Sequence, residues 1–88
     1  MDIANAVQQS LKSIQTRSGR TWRELSADEC PIGSLDGFDS YAAVEATSEL
    51  ERVLGRELKL DMAFADGTTR LTLRQACERV EAALRVTR

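Results

Sequence analysis

One stretch governs how this chain can fold. From about Gly19 to Asp39 it carries Gly19, Pro31, Gly33 and Gly37 among polar residues, too punctuated for a single helix or strand. A structureless loop of this length is uncommon in a compact domain, so the segment is expected to pack inward through Trp22, Leu25, Ile32, Leu35 and Phe38 as a tethered connector. Trp22 and Leu25 can also share one helical turn. The longer regular elements are expected before this connector and after it.

Before it, Ile3, Val7, Leu11 and Ile14 recur at helical spacing, with Asn5, Gln8, Gln9, Lys12 and Ser13 on the watery side. Asp2 can cap the start of this helix, and Ser18-Gly19 is the place for it to stop. After the connector, a second helix is expected from Asp39 or Ser40 to about Leu54, closed by Gly55. Tyr41, Val44, Leu50 and Leu54 are read as its buried face, Glu45, Glu49 and Glu51 as its charge, and Ala42, Ala43 and Ala46 keep it slim. Leu58, Leu60, Met62 and Phe64 then alternate with period two, but no partner strand is apparent. The segment is therefore read as extended chain leading into a short helical turn near Asp61 to Ala65. Thr72 can cap a last helix that carries Leu73, Ala76, Cys77, Val80 and Leu84 on one stripe.

The 88 residues suffice for one domain, 1–88, with a single small core and little room for a deep catalytic cleft. No run approaches the roughly 20 apolar residues of a membrane span. The start, Met1-Asp2-Ile3-Ala4-Asn5, lacks the blocks of a signal peptide and reads as the start of a free-standing cytoplasmic protein. Histidine is absent, and Cys30 and Cys77 form no metal-spaced pair, which removes the usual support for zinc or histidine-based chemistry. Cys77 reads as a small core residue and Cys30 as incidental.

Charge is distributed unevenly. Between Glu24 and Glu51 lie eight acids, Glu24, Asp28, Glu29, Asp36, Asp39, Glu45, Glu49 and Glu51, and no lysine or arginine. All 12 bases fall elsewhere, beside the other six acids. An acidic middle suits docking on basic partner surfaces, although solvated helix faces would look the same. Overall acidity and the lack of a basic aromatic patch argue against nucleic-acid binding.

The residues most able to carry chemistry are Leu35-Asp36-Gly37-Phe38-Asp39-Ser40-Tyr41, where a serine stands at the junction of a glycine-containing loop and a helix. Taken alone, Asp39-Ser40 is an ordinary helix cap. The wider pattern resembles the acyl carrier protein family. Asp39-Ser40-Tyr41 takes the place of that family's Asp-Ser-Leu motif, preceded by a matching Gly37-Phe38. Val44-Glu45 and Leu50-Glu51 match its later pairs, Gly55 its helix-ending glycine, and Leu71-Thr72-Leu73 with Ala76 and Val80 its last helix.

The resemblance covers roughly Asp36 to Val80 and implies an all-α fold, a four-helix carrier bundle with a long first loop and a short third helix. It implies that Ser40, with Asp39 as motif neighbour, carries a covalent 4'-phosphopantetheine arm taken from coenzyme A by a phosphopantetheinyl transferase with magnesium. The carrier would be no enzyme and would be a monomer that does not insert into membranes. It would hold acyl groups as thioesters for acyl-activating or acyl-transferring enzymes of fatty-acid, lipid or polyketide-type synthesis. Asp36, Tyr41, Val44, Glu45 and Glu49 would meet those partners' basic docking surfaces.

Two departures point to a specialised member. Tyr41 stands where the family has leucine or methionine, and the arginines from Arg52 onward leave a net charge of only -2. An aminoacyl or peptidyl carrier, or an unmodified carrier-like adaptor, are the alternatives. A Ser40 hydrolase is disfavoured, because the chain has no histidine base and no Gly-x-Ser-x-Gly elbow.

Overall fold

The computed structural model describes residues 2–86, so the expected domain limits, 1 and 88, lie outside the described residues. The chain is predominantly helical. Helix α1 (Ile3–Arg17) precedes the connector, a one-turn helix α2 (Pro31–Ser34) lies within it, and α3 (Ser40–Leu54) and α4 (Leu73–Val86) follow. Two short strands, β1 (Ala65–Asp66) and β2 (Thr69–Arg70), form an antiparallel ladder pairing Ala65 with Arg70 and Asp66 with Thr69. Among the described residues no helix is long and apolar enough to cross a membrane.

The main helix pair is α1 on α3, with α4 packed on α1 as well. Ala42, Ala43 and Ala46 are buried in this seam, where their small side chains let Val7, Leu11 and Ile14 of α1 contribute to one continuous core. The buried row of α3 is completed by Leu50, with Val53 and Leu54 partly covered against it. That phase corrects the expected buried face. Tyr41 is 78% exposed and Val44 48% exposed, because positions 41, 44, 45, 48 and 52 share a side of α3 that lies off the buried row of Ala42, Ala43, Ala46 and Leu50. Gly55 ends α3 in the left-handed conformation, with φ 68°, as glycine there allows. Asp2 occupies the N-cap of α1, but its side chain makes no capping hydrogen bond; its carbonyl accepts from Ala6 N–H at 2.9 Å.

The connector does pack inward, with Leu25, Ile32, Leu35 and Phe38 buried and Trp22 packed partly against the core. Its helical turn falls at Pro31–Ser34 instead of Trp22–Leu25. Pro31 begins it with no N–H to lose, and extended ψ at Ile32 with φ 101° at Gly33 break it. Fully buried Gln15 ties the connector down. Its side-chain amide nitrogen donates to Thr21 O at 2.9 Å and to Asp36 O at 2.8 Å, and its backbone carbonyl accepts from Arg20 N–H at 2.8 Å. Gln15→Ala strips two carbonyls of their donor and opens a void. The expected cost is about 2–4 kcal/mol in chemical denaturation, with faster amide exchange across the connector.

No helical turn forms near Asp61 to Ala65, and the expected short third helix after Gly55 is replaced by an extended segment and the β1–β2 hairpin. The segment needs no partner strand, since side chains satisfy its backbone. Leu58 N–H donates to Glu51 Oε2 at 2.7 Å, Ala63 N–H to Thr47 Oγ1 at 3.1 Å, and Met62 O accepts from Arg79 Nε at 3.0 Å. This leaves the period-two residues free to face inward: Leu58 and Phe64 are buried, and Leu60 and Met62 pack against the core. Gly67, with φ 61°, opens the two-residue turn of the hairpin.

The start of α4 is shared between local and distant partners. Thr72 and Gln75 exchange side-chain and backbone hydrogen bonds as a capping box, while Leu73 and Arg74 N–H donate to Glu29 O and Ala27 O of the connector at 2.8 and 3.0 Å. The connector thus caps the last helix while Gln15 holds its two ends.

Candidate functional site

Ser40 is the first residue of α3, and its side chain is exposed. The cap of that helix is Asp39, whose Oδ1 accepts from Ala42 N–H at 2.9 Å. Ser40 is therefore not used as the cap, and its hydroxyl is held at the surface by a backbone that its neighbour anchors. Gly37, with φ 62°, turns the chain into this junction, and a Cβ there would meet the Arg20 side chain at 2.6 Å. Phe38 is buried beneath, edge-on to Phe64 with ring centroids 6.1 Å apart.

Beside Ser40 runs a groove of about 490 Å³. One wall is Ile32, Gly33, Phe38 and Asp39, and the other comes from the hairpin, with Ala65 and Arg70. An exposed hydroxyl at the edge of a partly apolar groove fits a flexible arm that carries a phosphate at its root. The hairpin wall escaped the sequence reading. Gly67-Thr68, a glycine-led pair of turn residues, is the signal that was available for it.

The expected partner-facing residues divide. Asp36, Tyr41, Val44 and Glu45 are exposed, the last three along one side of α3 starting next to Ser40. A depression of about 400 Å³ continues that side through Ile14, Val44, Glu45 and Ser48, with Arg17 and Arg52 beside it. Glu49 does not belong with the exposed acids. It is 7% exposed, bonded to Arg17 at 2.6 Å, to Arg52, and to the Ser13 hydroxyl at 3.3 Å.

Hydrogen bonds from Arg52, and then from Arg17, hold the Glu49 carboxyl below its ordinary value against the opposing effect of burial. A depressed carboxyl stabilises the fold above its unfolded-state value and loses that contribution as the pH falls through the folded one. The advantage of the wild-type chain over Glu49→Gln is therefore expected to be full above pH 4.5, the ordinary value, and to vanish in more acid solution. Its size is about 1 kcal/mol, because both guanidiniums stand largely in water. Urea denaturation of the two chains across acid pH checks this; a gap that does not change with pH contradicts it.

The acid run is thus more neutral in space than in sequence. Glu29 pairs with Arg23, which with the Ser26 N–H lowers its carboxyl to about 2, and Asp28 pairs with Arg74 at 2.8 Å. Glu51 is occupied by Leu58 N–H. Among the described residues, Glu24, Asp36, Asp39 and Glu45 are the members of the run whose carboxylates form no ion pair and accept no hydrogen bond from outside the run.

Cys77 packs partly against the core, and burial pushes its thiol up, away from the reactive thiolate. Comparison of the chain with known protein families, curated proteins and solved structures gave no match.

Proposed function

We propose that this protein is a phosphopantetheine-dependent acyl carrier of specialised type, built as a variant of the four-helix carrier bundle in which a hairpin replaces the short third helix. The observation that carries the reading is Ser40. It is an exposed hydroxyl at the first residue of α3, relieved of capping by Asp39, beside a groove and next to the exposed Tyr41, Val44 and Glu45. The ordered motif matches from Asp36 to Val80 support the same assignment.

In this reading a transferase with magnesium directs the Ser40 oxygen at the pyrophosphate of coenzyme A. A new phosphorus–oxygen bond forms, the bridging bond breaks, adenosine bisphosphate departs, and the serine proton passes to a base of the transferase. When bound, the arm supplies a terminal thiol that holds acyl groups as thioesters. The carrier's own residues present the serine, dock the partner and raise the effective concentration of cargo at the partner's active site. Coenzyme A and its transferase place this work in the cytoplasm, and a monomer suffices for it.

Docking falls to Tyr41 and Val44 as apolar contacts and to Glu45 and Asp36 as the acids that meet a basic partner. Glu49 then supports α3 from within and is withdrawn from the partner list.

Incubation with a broad-specificity phosphopantetheinyl transferase, magnesium and coenzyme A is expected to add one phosphopantetheinyl group, located on Ser40 by tandem mass spectrometry. No mass gain with several transferases would overturn the carrier reading and leave the unmodified adaptor, whose exposed Tyr41 and Val44 are the favouring observation.

A further inference from the structure

A phosphodiester on Ser40 would stand beside the Asp39 carboxylate, in a part of the chain that has no base of its own from Glu24 to Glu51. Two negative groups so placed need a cation, and the fold brings one across. Arg70, at the end of the hairpin, is the one basic residue among those lining the groove beside Ser40. Its backbone is fixed by the Ala65–Arg70 pairing, with Leu71 N–H to Phe64 O at 3.1 Å closing the ladder behind it.

Its guanidinium lies against the bare α-carbon of Gly33, where a Cβ would come within 2.7 Å of Nη1. Gly33 is thus small where Arg70 needs space as well as left-handed where α2 breaks. Among the described residues Arg70 forms no salt bridge, although Asp39 shares the groove with it, so its planar donors remain available to an anion.

We propose that Arg70 binds the phosphate at the root of the arm on Ser40, holding the start of the arm in the groove between the connector and the hairpin. The ligand class is a phosphate ester. This inference rests on the carrier reading for the identity of that ester, whereas the anion preference of Arg70 rests on the groove alone. Ile32, Phe38 and Ala65 give the neighbouring part of the arm an apolar bed.

The test uses NMR on the full chain in two arms, with Arg70→Gln and Arg70→Lys beside the wild type. Arg70 is exposed, so both variants are expected to keep the wild-type amide spectrum. In the loaded protein, the Arg70 Nε–H resonance is expected to move on attachment of the arm. The phosphorus resonance of the wild type is expected to be broader than that of Arg70→Gln, with Arg70→Lys between them. In the unloaded protein, titration with inorganic phosphate is expected to move the Arg70 Nε–H resonance to saturation in the millimolar range, and Arg70→Gln to abolish the response of its groove neighbours.

Identical phosphorus signals in wild type and Arg70→Gln, with an unmoved Arg70 resonance, overturn the proposal. Failure of Ser40 to accept the arm sinks the carrier reading instead. The phosphate titration then decides Arg70 by itself: saturation retains an anion site, and no response removes it.

Discussion

Ser40→Ala is expected to accept no phosphopantetheinyl group under conditions that convert the wild-type chain completely, while unfolding at nearly the same denaturant concentration. Both halves follow from the division of labour at the start of α3. The helix is capped by Asp39, and the Ser40 hydroxyl makes no hydrogen bond among the described residues, so its removal changes stability by no more than about 0.5 kcal/mol. In the carrier reading the nucleophile is nevertheless gone, and the loss of loading is expected to be total. Asp39→Ala is the control with the opposite stability signature: it removes the bond to Ala42 N–H and costs about 1 kcal/mol. Intact-mass analysis and urea denaturation read the two effects separately. Wild-type loading of Ser40→Ala would place the arm on another hydroxyl.

Phe64→Ala is expected to be the most damaging single truncation, at about 3–5 kcal/mol. Phe64 is fully buried, meets Phe38 edge-on, and sits where the extended segment turns into the hairpin. Its loss opens a void between the connector and that segment and unseats Phe38, two residues before Ser40. A domain this size has a total stability of about 5–15 kcal/mol. Near the lower end the variant is substantially unfolded at ambient temperature, seen as a lost or early thermal transition by circular dichroism. Phe64→Leu keeps most of the volume and is expected to retain a cooperative transition at a lower midpoint.

The helices were legible wherever the local signal and the tertiary demand agreed. Ile3, Val7, Leu11 and Ile14 mark α1, Gly19 and Gly55 sit beyond the ends of α1 and α3, and Thr72 caps α4, all as spacing and turn chemistry require. The phase of α3 was not legible from apolar character. Three alanines and a threonine form much of its inner face, whereas its tyrosine and a valine are exposed, because close approach to α1 favours small residues. The stretch after Gly55 misled for another reason. Its backbone is satisfied by Glu51, Thr47 and Arg79, partners distant in sequence that no periodicity reveals.

Of the candidate site, the helix start at Asp39 or Ser40 was readable, and Asp36, Ser40, Tyr41, Val44 and Glu45 do lie at the surface. Glu49 and the groove were not readable. The burial of Glu49 depends on arginines in α1 and one turn further along α3, and the groove's far wall comes from Arg70, distant in sequence from Ser40.

The pairing of the acid run with arginines from outside it bears on how the molecule is found by whatever it meets. A block of uncompensated carboxylates acts at long range as a single pole, and its pull on an oppositely charged protein weakens steeply with added salt. With Glu29, Asp28 and Glu49 each closed by a guanidinium, those three act as local dipoles whose field fades over a shorter distance, and the long-range pole shrinks to the carboxylates left without an ion pair. In the carrier reading proposed above, steering of a basic partner then rests on fewer carboxylates, and more of the selection falls to the residence time that the phenol of Tyr41 and the methyls of Val44 would confer.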